Sequence, residues 1–375
     1  MKSTDLAVII SPFAALANKH AMSPIYNTLE ISADTIRGCA PWGVLEVDAE
    51  IGTKETFWVN SLHFVGVIKT LPAGEVVFSQ TGTTLSWECG NAQGKLGLLP
   101  KLEIPNYEWE GPATEKPNID NKFPEALTLG SLSASRDIGM SSAGVTGVAL
   151  TWLPAEEDPN GTHGTVYIAS SDNVTMSVSS TEIVGAMHWP ENIVINTEAA
   201  GMLSTILRMS AGSSGAFLDI QEKIIIAYAN DFRLMIRSAP PMKHDILMMT
   251  QDYSREEIVM DLPSDVVKRF VARASALAEA KNHTHVRFAA SSGGLRLSFA
   301  EGALMSDEQY NIAELVLPDE FPEVRLDASR LARALGHADK LALDAFSRGV
   351  LTLFTGEGVK PEFSYLINGA QEKGA

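Results

Sequence analysis

Residues 326–340, L-D-A-S-R-L-A-R-A-L-G-H-A-D-K, decide the fold, and three short apolar runs that end in F-S-Y-L-I at 363–367 follow them. The pattern predicts a strand end, an N-cap at Asp327, a short amphipathic helix and closing strands. Two earlier stretches repeat it, with caps at Asn60 and Asn196. The three caps are 136 and 131 residues apart. Such a spacing is typical of a repeated domain and too long for a solenoid unit.

A second helix start recurs in each repeat. Short apolar strands are predicted at residues 6–10, 126–129 and 258–262, each followed by a start at Ser11, Ser131 or Ser264. The first helices are predicted over 12–20, 131–140 and 264–281, and the second helices over 61–71, 197–209 and 328–338. Alternating apolar runs between them predict antiparallel strands. The fold class is therefore α+β, with three domains at 1–118, 119–251 and 252–375, each with two helices packed on antiparallel sheets.

Composition excludes several classes of protein. With 45% hydrophobic and 20% charged residues, the chain is an ordinary globular protein rather than a disordered one. No apolar run approaches the roughly 20 residues of a membrane span, and the run at 6–10 is too short for a secretory signal. Cys39 and Cys89 are too few for a disulfide framework or a zinc site and fit the cytoplasm.

Positive charge is concentrated in the predicted helices. The chain carries a net charge of −17, but the six helix windows carry +6, which leaves −23 for the rest. Arg330, Arg333, His337 and Lys340 form one stripe in the last helix. We expect a positive face that meets phosphate while the remaining surface stays negative. The residues predicted to face nucleic-acid phosphates are Lys19, Lys69, Arg208, Lys268, Arg269, Arg273, Arg330, Arg333 and Lys340. The alternative is an ordinary solvated helix face whose cations offset the helix dipole.

Catalytic motifs fail on inspection. Residues 90–96, G-N-A-Q-G-K-L, are one residue short of a phosphate loop and lack the Ser or Thr that would hold Mg²⁺. Gly212-Ser213-Ser214-Gly215 is not a nucleophile elbow. His283 and His285 share one strand face, but no further ligand accompanies them at metal-binding spacing. We expect no catalytic residue, no metal and no cofactor, and a binding protein rather than an enzyme.

A threefold α+β repeat that is acidic overall, with basic helices, resembles the bacterial sliding clamp, the β subunit of DNA polymerase III. The most telling segment includes V-G-V-I-K-T-L-P-A-G-E-V-V-F at 65–78 and K-L-G-L-L-P-K-L-E-I-P-N-Y at 95–107. Residues 193–207 look like the corresponding helix of the second domain, and 261–279 like the first helix of the third.

The resemblance implies a processivity factor. Two chains would close head to tail into a homodimeric ring, and double-stranded DNA would pass through it without sequence readout. An ATP-driven clamp loader and a DNA polymerase would be its partners, and no membrane would be involved. The apolar contact between the two chains would map to Leu99 on one chain and to Ala276 and Leu277 on the other.

The resemblance also implies a pocket for partner peptides between the second and third domains. Its lining would map to Asp172, Val174, Met176, Pro241, Ile246, Tyr365, Leu366 and Ile367. The family's T-D-G-H-R-L stretch reads S-S-D-N-V-T-M at 170–176, and its Met- and Pro-rich C-terminus is replaced by I-N-G-A. These departures would suit a bacteriophage-encoded clamp with its own polymerase. The alternative for these residues is an ordinary core.

Two further hypotheses stay open at this point. The chain could form a ring as a structural or assembly protein that does not bind DNA. It could also be an enzyme whose site is assembled across domains from residues that no motif reveals.

Overall fold

A computed structural model describes most of the chain. The described residues are 1–17, 23–105, 119, 122–135, 147–158, 162–185, 189–190, 192–209, 216–242, 245–253, 257–261, 264–281, 285–291, 294–301, 304–311, 324–344, 350–355 and 362–368. The chain divides into two compact units. Unit 1 comprises Met1–Glu125, Pro154–Gly164 and Ile183–Pro240, and unit 2 comprises Ala126–Leu153, Thr165–Glu182 and Pro241–Ala375.

Most helices of the described residues are followed by a run of three or four strands. The helices are α1 (Ser3–Ile10), α2 (Phe13–Leu16), α3 (Ser61–Lys69), α4 (Lys122–Gly130), α5 (Thr197–Met209), α6 (Ile246–Tyr253), α7 (Ser264–Lys281) and α8 (Ala328–Leu335). The strands are β1 (Thr28–Ile31), β2 (Thr35–Ala40), β3 (Gly43–Asp48), β4 (Phe57–Asn60), β5 (Val76–Thr81), β6 (Thr84–Cys89), β7 (Ala92–Gly97), β8 (Val148–Pro154), β9 (His163–Ser171), β10 (Thr175–Val184), β11 (Asn192–Ile195), β12 (Ala216–Ile220), β13 (Ile224–Ala229), β14 (Phe232–Arg237), β15 (Glu257–Asp261), β16 (His285–Ser291), β17 (Gly294–Glu301), β18 (Leu304–Asn311), β19 (Val324–Asp327), β20 (Lys340–Asp344), β21 (Val350–Thr355) and β22 (Phe363–Asn368).

Unit 1 is built on two antiparallel sheets. The larger has the strand order β12-β13-β14-β3-β2-β1-β4, and the smaller the order β5-β6-β7. Helices α1 and α2 pack against α3, while α5 packs against β13 and β14. Burial alternates along β12, whereas β13 and β14 each have three consecutive buried residues, so both faces of these two strands are covered.

Unit 2 combines two more sheets with its own helices. Neighbouring strands run in the order β8-β9-β10-β22-β21-β20-β15, and a second sheet has the order β18-β17-β16-β19. Helix α7 packs against α8 and against β16 and β17. The principal core of the unit includes Phe270, Phe288, Leu331, Phe363 and Tyr365, all fully buried. The α+β class with antiparallel sheets is therefore confirmed.

The sheets continue past the predicted domain boundaries. Strand β14, from the predicted second domain, pairs with β3 of the predicted first domain inside unit 1. Strand β10 likewise pairs with β22 of the predicted third domain inside unit 2. Main-chain hydrogen bonds thus run between strands that the sequence repeat assigns to different domains. The division at 118 and 251 stays a prediction.

The three predicted helix caps all form. The Asn60 side chain accepts a hydrogen bond from the His63 N–H at 3.0 Å, and Asn196 Oδ1 accepts from the Glu198 N–H at 2.8 Å. Asp327 Oδ1 accepts from the N–H groups of Ser329 at 2.9 Å and Arg330 at 3.1 Å. Each cap directly follows or ends a strand, so the repeated strand–cap–helix unit is confirmed.

The first helix predicted over 12–20 is confirmed only at α2 (Phe13–Leu16), and residues 18–20 lie outside the described part. The first helix predicted over 131–140 is wrong at 131–135, which are not helical. Residues 6–10, predicted as a strand, belong to α1, where Leu6 and Ile10 are buried one helical turn apart. Residues 126–129, also predicted as a strand, lie in α4. A short apolar run fits a buried strand and a buried helix equally, so periodicity could not decide. Ser131 follows the end of α4, and residues 136–140 lie outside the described part. The strand before Ser264 and the helix α7 are confirmed.

Helix α8 ends earlier than predicted. Its last residue is Leu335, and Gly336 is its C-cap. Lys340 therefore begins β20 and does not extend the helical stripe of Arg330 and Arg333. The predicted stripe requires the helix to continue through Gly336-His337-Ala338-Asp339. A glycine directly after the last apolar turn usually ends a helix, and α8 ends there.

Candidate nucleic-acid and partner surfaces

Helix α8 carries two predicted DNA-facing arginines with different surroundings. Arg333 is exposed. The Arg330 side chain is only 26% exposed, and its Nη1 lies 3.5 Å from Oδ1 of Asp172. The structure therefore brings Arg330, predicted to face DNA, together with Asp172, predicted to line the partner pocket.

Helix α7 adds more basic residues beside α8. Arg269 and Arg273 are exposed and Lys268 is half-buried, while the opposite face of the helix is fully buried. The guanidinium carbon of Arg273 lies 5.8 Å from the centroid of the Phe270 ring, within cation–π range. Because α7 and α8 pack together, Arg269, Arg273 and Arg333 are exposed cations of one helix pair.

Two predicted DNA-facing residues of unit 1, Lys69 and Arg208, lie at helix ends. Lys69 is the exposed last residue of α3, and Arg208 is exposed in the last turn of α5. Cations at these positions are favoured by the helix dipole. Lys340 is half-buried at the start of β20. Lys19 lies outside the described residues.

An apolar cluster in unit 2 contains three of the predicted pocket residues. Met176, Ile246 and Leu366 are buried together, and Met176 lies opposite Leu366 in the β10–β22 register. Pro241 and Val174, two further predicted pocket residues, are exposed. We call this group the partner cluster; its members are Ala169, Met176, Val178, Ile246, Leu247 and Leu366, with Tyr167 and Met242 packed against it.

Two predicted pocket residues lie in the other core of the unit. Tyr365 and Ile367 belong to the principal core beneath α7 and α8. Neighbouring residues of a strand point to opposite faces, so Leu366 alone of the three can join the partner cluster. The same rule would have added Val178, two residues beyond Met176 on β10. Leu247, which directly follows Ile246, gave no comparable signal.

A tight turn between β9 and β10 borders the partner cluster. Asp172 Oδ1 accepts from the N–H groups of Val174 at 3.1 Å and Thr175 at 2.8 Å, and from Thr175 Oγ1 at 3.0 Å. Asn173 has a φ of 70°, a left-handed conformation that asparagine tolerates. Val174 is 37% exposed at the tip. The turn therefore presents an apolar side chain while its carboxylate is turned inward.

The buried hydroxyl of Tyr365 joins α8 to the same region. It donates a hydrogen bond to the carbonyl oxygen of Arg330 at 3.2 Å. Burial raises the pKa of the Tyr365 hydroxyl, and the hydrogen bond with Thr175 and the positive charge of Arg333 offset part of that rise. The tyrosine stays a neutral donor that ties the helix backbone to the sheet.

The predicted residues of the contact between two chains are described only in part. Leu99 is half-buried, and its N–H donates to the Trp58 carbonyl at 2.7 Å. Ala276 is exposed on α7. Leu277 is helical, but its side chain lies outside the described part.

No group of three or more His, Cys, Asp and Glu side chains among the described residues has a metal-binding arrangement. None of the helices in the described part is both long and apolar enough to span a membrane.

The arrangement of helices and sheets in this chain is similar to that of solved DNA sliding clamps. A DnaN sliding clamp (DNA polymerase III subunit beta) from Bartonella birtlesii bound to griselimycin matches with a TM-score of 0.79 and 13% identity, over 99% of this chain and 98% of that one. A Caulobacter crescentus beta sliding clamp matches with a TM-score of 0.78 and 13% identity, with the same coverage. A Bacillus subtilis DNA polymerase sliding clamp gives 0.76 and 14%, again with 99% and 98% covered.

These likenesses show the fold. The chain has the fold of the bacterial beta sliding clamps along nearly its whole length, so the expected resemblance is confirmed at that level. No protein-family model and no curated protein sequence matches the chain.

Proposed function

We propose that this chain is a DNA sliding clamp, a processivity factor that closes into a homodimeric ring around duplex DNA and tethers a DNA polymerase. The observation that carries the proposal is the agreement with solved sliding clamps over 99% of the chain.

The exposed cations support the DNA-binding part of the proposal. Lys69, Arg208, Arg269, Arg273 and Arg333 all lie on helices, while the chain as a whole carries a charge of −17. A few scattered cations on helices bind phosphates loosely and without sequence preference. Such contacts let a protein slide along DNA, and a closed ring would keep the protein from dissociating from the duplex.

The partner cluster supports the tethering part. Val174, Met248 and Met249 are exposed apolar side chains on the two segments that supply Met176 and Ile246. Flexible methionines adapt to different peptide partners. We propose that a polymerase and a clamp loader place a short apolar segment here. The ring itself would act as a binding protein rather than an enzyme, and the loader would hydrolyse ATP.

Ring closure can be tested without a loader or polymerase. The double variant Leu99→Cys with Ala276→Cys places a thiol on each side of the proposed contact, in a background where Cys39 and Cys89 are changed to Ala. Light scattering should report a dimer of 40.4 kDa chains. Oxidation in the presence of nicked circular DNA should then link the ring closed around the circle.

The expected result is retention on the circle through a high-salt wash, followed by release when a restriction enzyme linearises the DNA. The single variant Leu99→Cys is the matched control and should wash off. A strict monomer would contradict the clamp. A linked dimer that never stays on circular DNA would favour the alternative, a ring-forming assembly protein.

The partner cluster is tested on a primed circular template with a replicative DNA polymerase and a clamp loader. Val174→Asp places a charge at the exposed rim and should shorten the products of each binding event, because an apolar segment could no longer dock without desolvating a carboxylate. Val77→Asp, which changes an equally apolar exposed residue of unit 1, is the control and should leave product length unchanged.

A further inference from the structure

Arg330 is held at three points in the structure. Its N–H donates to Asp327 Oδ1 at 3.1 Å, and its carbonyl oxygen accepts from the Tyr365 hydroxyl at 3.2 Å. Its side-chain Nη1 lies 3.5 Å from Asp172 Oδ1. The first two contacts fix the backbone at the start of α8, and the third commits the guanidinium to the β9–β10 turn.

Asp172 has a structural need for that cation. Its side chain is only 14% exposed, and one of its oxygens already accepts from Val174 N–H, Thr175 N–H and Thr175 Oγ1. A carboxylate so shielded from water is costly unless a positive charge compensates it. Arg330 supplies this charge within ion-pair distance.

The turn that Asp172 organises bears directly on the partner cluster. Val174 lies at the tip of the turn, directly before β10 and two residues before Met176, while Met176 and Val178 share one face of that strand. Met176 and Val178 are members of the partner cluster. The conformation of the turn therefore sets where Val174 stands at the rim of that cluster.

We propose that Arg330 is a positioning residue for the partner surface and not a phosphate contact. It holds the Asp172 carboxylate, and through it the turn that carries Val174. The phosphate contact of α8 falls instead to Arg333, which is exposed three residues later on the same helix. This inference rests on the proposed function for its consequences, but the geometry it invokes can be measured alone.

The test compares Arg330→Gln with Arg333→Gln, matched variants that each remove one positive charge from α8. Arg330→Gln leaves the shielded carboxylate uncompensated and should speed hydrogen exchange in the peptide spanning 171–176 on the order of tenfold, as expected from an unsatisfied shielded group. Arg333→Gln should leave this exchange unchanged. The double variant Asp172→Asn with Arg330→Gln should recover slow exchange, because the amide oxygen still accepts from the turn and no charge is left unpaired.

Functional readouts separate the two arginines. Arg333→Gln should weaken binding to a short linear duplex, measured by fluorescence anisotropy, whereas Arg330→Gln should not. In the primed-circle assay, Arg330→Gln should shorten the products, and the double variant should restore them. Recovery by the double variant distinguishes loss of the ion pair from general misfolding of α8.

The failures of the two proposals are distinguishable. If Arg330→Gln weakens duplex binding as strongly as Arg333→Gln and leaves exchange at 171–176 unchanged, the positioning role is overturned. If exchange responds as expected but the wild-type chain neither binds duplex nor extends processivity, Arg330 still positions the turn and the clamp function is wrong.

Discussion

At the scale of single residues, Asp327 makes the clearest contribution to stability. Its carboxylate satisfies two N–H groups at the start of α8. Replacing Asp327 with Ala should lower the free energy of unfolding by about 1 kcal/mol, because those donors lose their acceptor. Chemical denaturation of the full chain measures the change. Asp327→Asn should remain close to wild type, since asparagine caps equally well, and an equal loss in both variants would contradict capping.

Ionisation of the Cys39 thiol makes the free energy of unfolding depend on pH in the alkaline range. Burial raises the pKa of its thiol from 9.0 to about 11, although the Arg37 guanidinium lowers it in part. Between these values the unfolded chain loses the thiol proton and the folded chain keeps it, so stability falls as pH rises through this window. The urea midpoint of Cys39→Ala should therefore fall less than that of the wild type between about pH 8 and about pH 10.5. Parallel curves would contradict this assignment.

Residue roles were readable from the sequence only where the cause is local. Asn60, Asn196 and Asp327 accept hydrogen bonds from N–H groups two or three residues away, so the local sequence is enough to predict them as helix caps. Arg330 and Asp172 are far apart along the chain, and only the folded sheet brings them together. A helical stripe predicts which side of α8 is polar but gives no information on what meets it.

At the scale of elements, close approach of backbone explains the end of α4. A Cβ on Gly130 would lie 2.4 Å from the carbonyl oxygen of Ile168. The Gly130 carbonyl also accepts from the Ser170 hydroxyl at 2.6 Å and the Ser177 hydroxyl at 2.8 Å. Ser170 of β9 and Ser177 of β10 therefore hydrogen-bond to the last residue of α4, where close packing against β9 leaves no room for a side chain.

Gly130→Ala should lower the free energy of unfolding by about 1–3 kcal/mol, because the backbone of β9 cannot move aside without breaking its ladder. Gly336→Ala, in the same unit, has open space around its Cβ and should be neutral or slightly stabilising. Denaturation curves of the two variants measure the difference. A Gly130→Ala protein as stable as Gly336→Ala would show that α4 can shift.

Elements with strong periodicity were predictable, whereas a short apolar run alone did not distinguish a helix from a strand. Helices α5 and α7 follow long apolar stripes, and their predicted bounds agree with the structure. Helix α1 rests on a run of five apolar residues that suits either kind of element. The partner cluster shows a third case, because the resemblance places three consecutive residues of β22 on one surface, whereas Leu366 points to the opposite face from Tyr365 and Ile367.

At the scale of the whole molecule, the concentration of positive charge in the helices of an acidic chain is the property that the sequence predicts most directly. Identity to the solved clamps is only 12–14% in the matches with Caulobacter, Pseudomonas and Bacillus proteins, yet the fold agrees across the chain. Apolar periodicity and helix caps suffice to keep such a fold while most side chains change. The sequence predicts that basic residues lie on the helices, and Lys69, Arg208 and Arg333 are exposed helical residues in the structure.

This distribution gives the last prediction. The triple variant Arg269→Gln, Arg273→Gln, Arg333→Gln removes three exposed cations from the α7–α8 pair. Affinity for linear duplex should fall, and the slope of log affinity against log salt should become shallower by up to about 0.9 for each phosphate contact removed.

The control removes the same charge from elsewhere. Lys95, Lys101 and Lys223 are exposed residues outside the helices, and their change to Gln makes the chain equally more acidic. If position on the helices matters, the control keeps the wild-type slope, because its lysines release no counterions from DNA. If both triple variants lose the same slope, net charge alone governs DNA binding, and the helices do not form a distinct phosphate-facing surface.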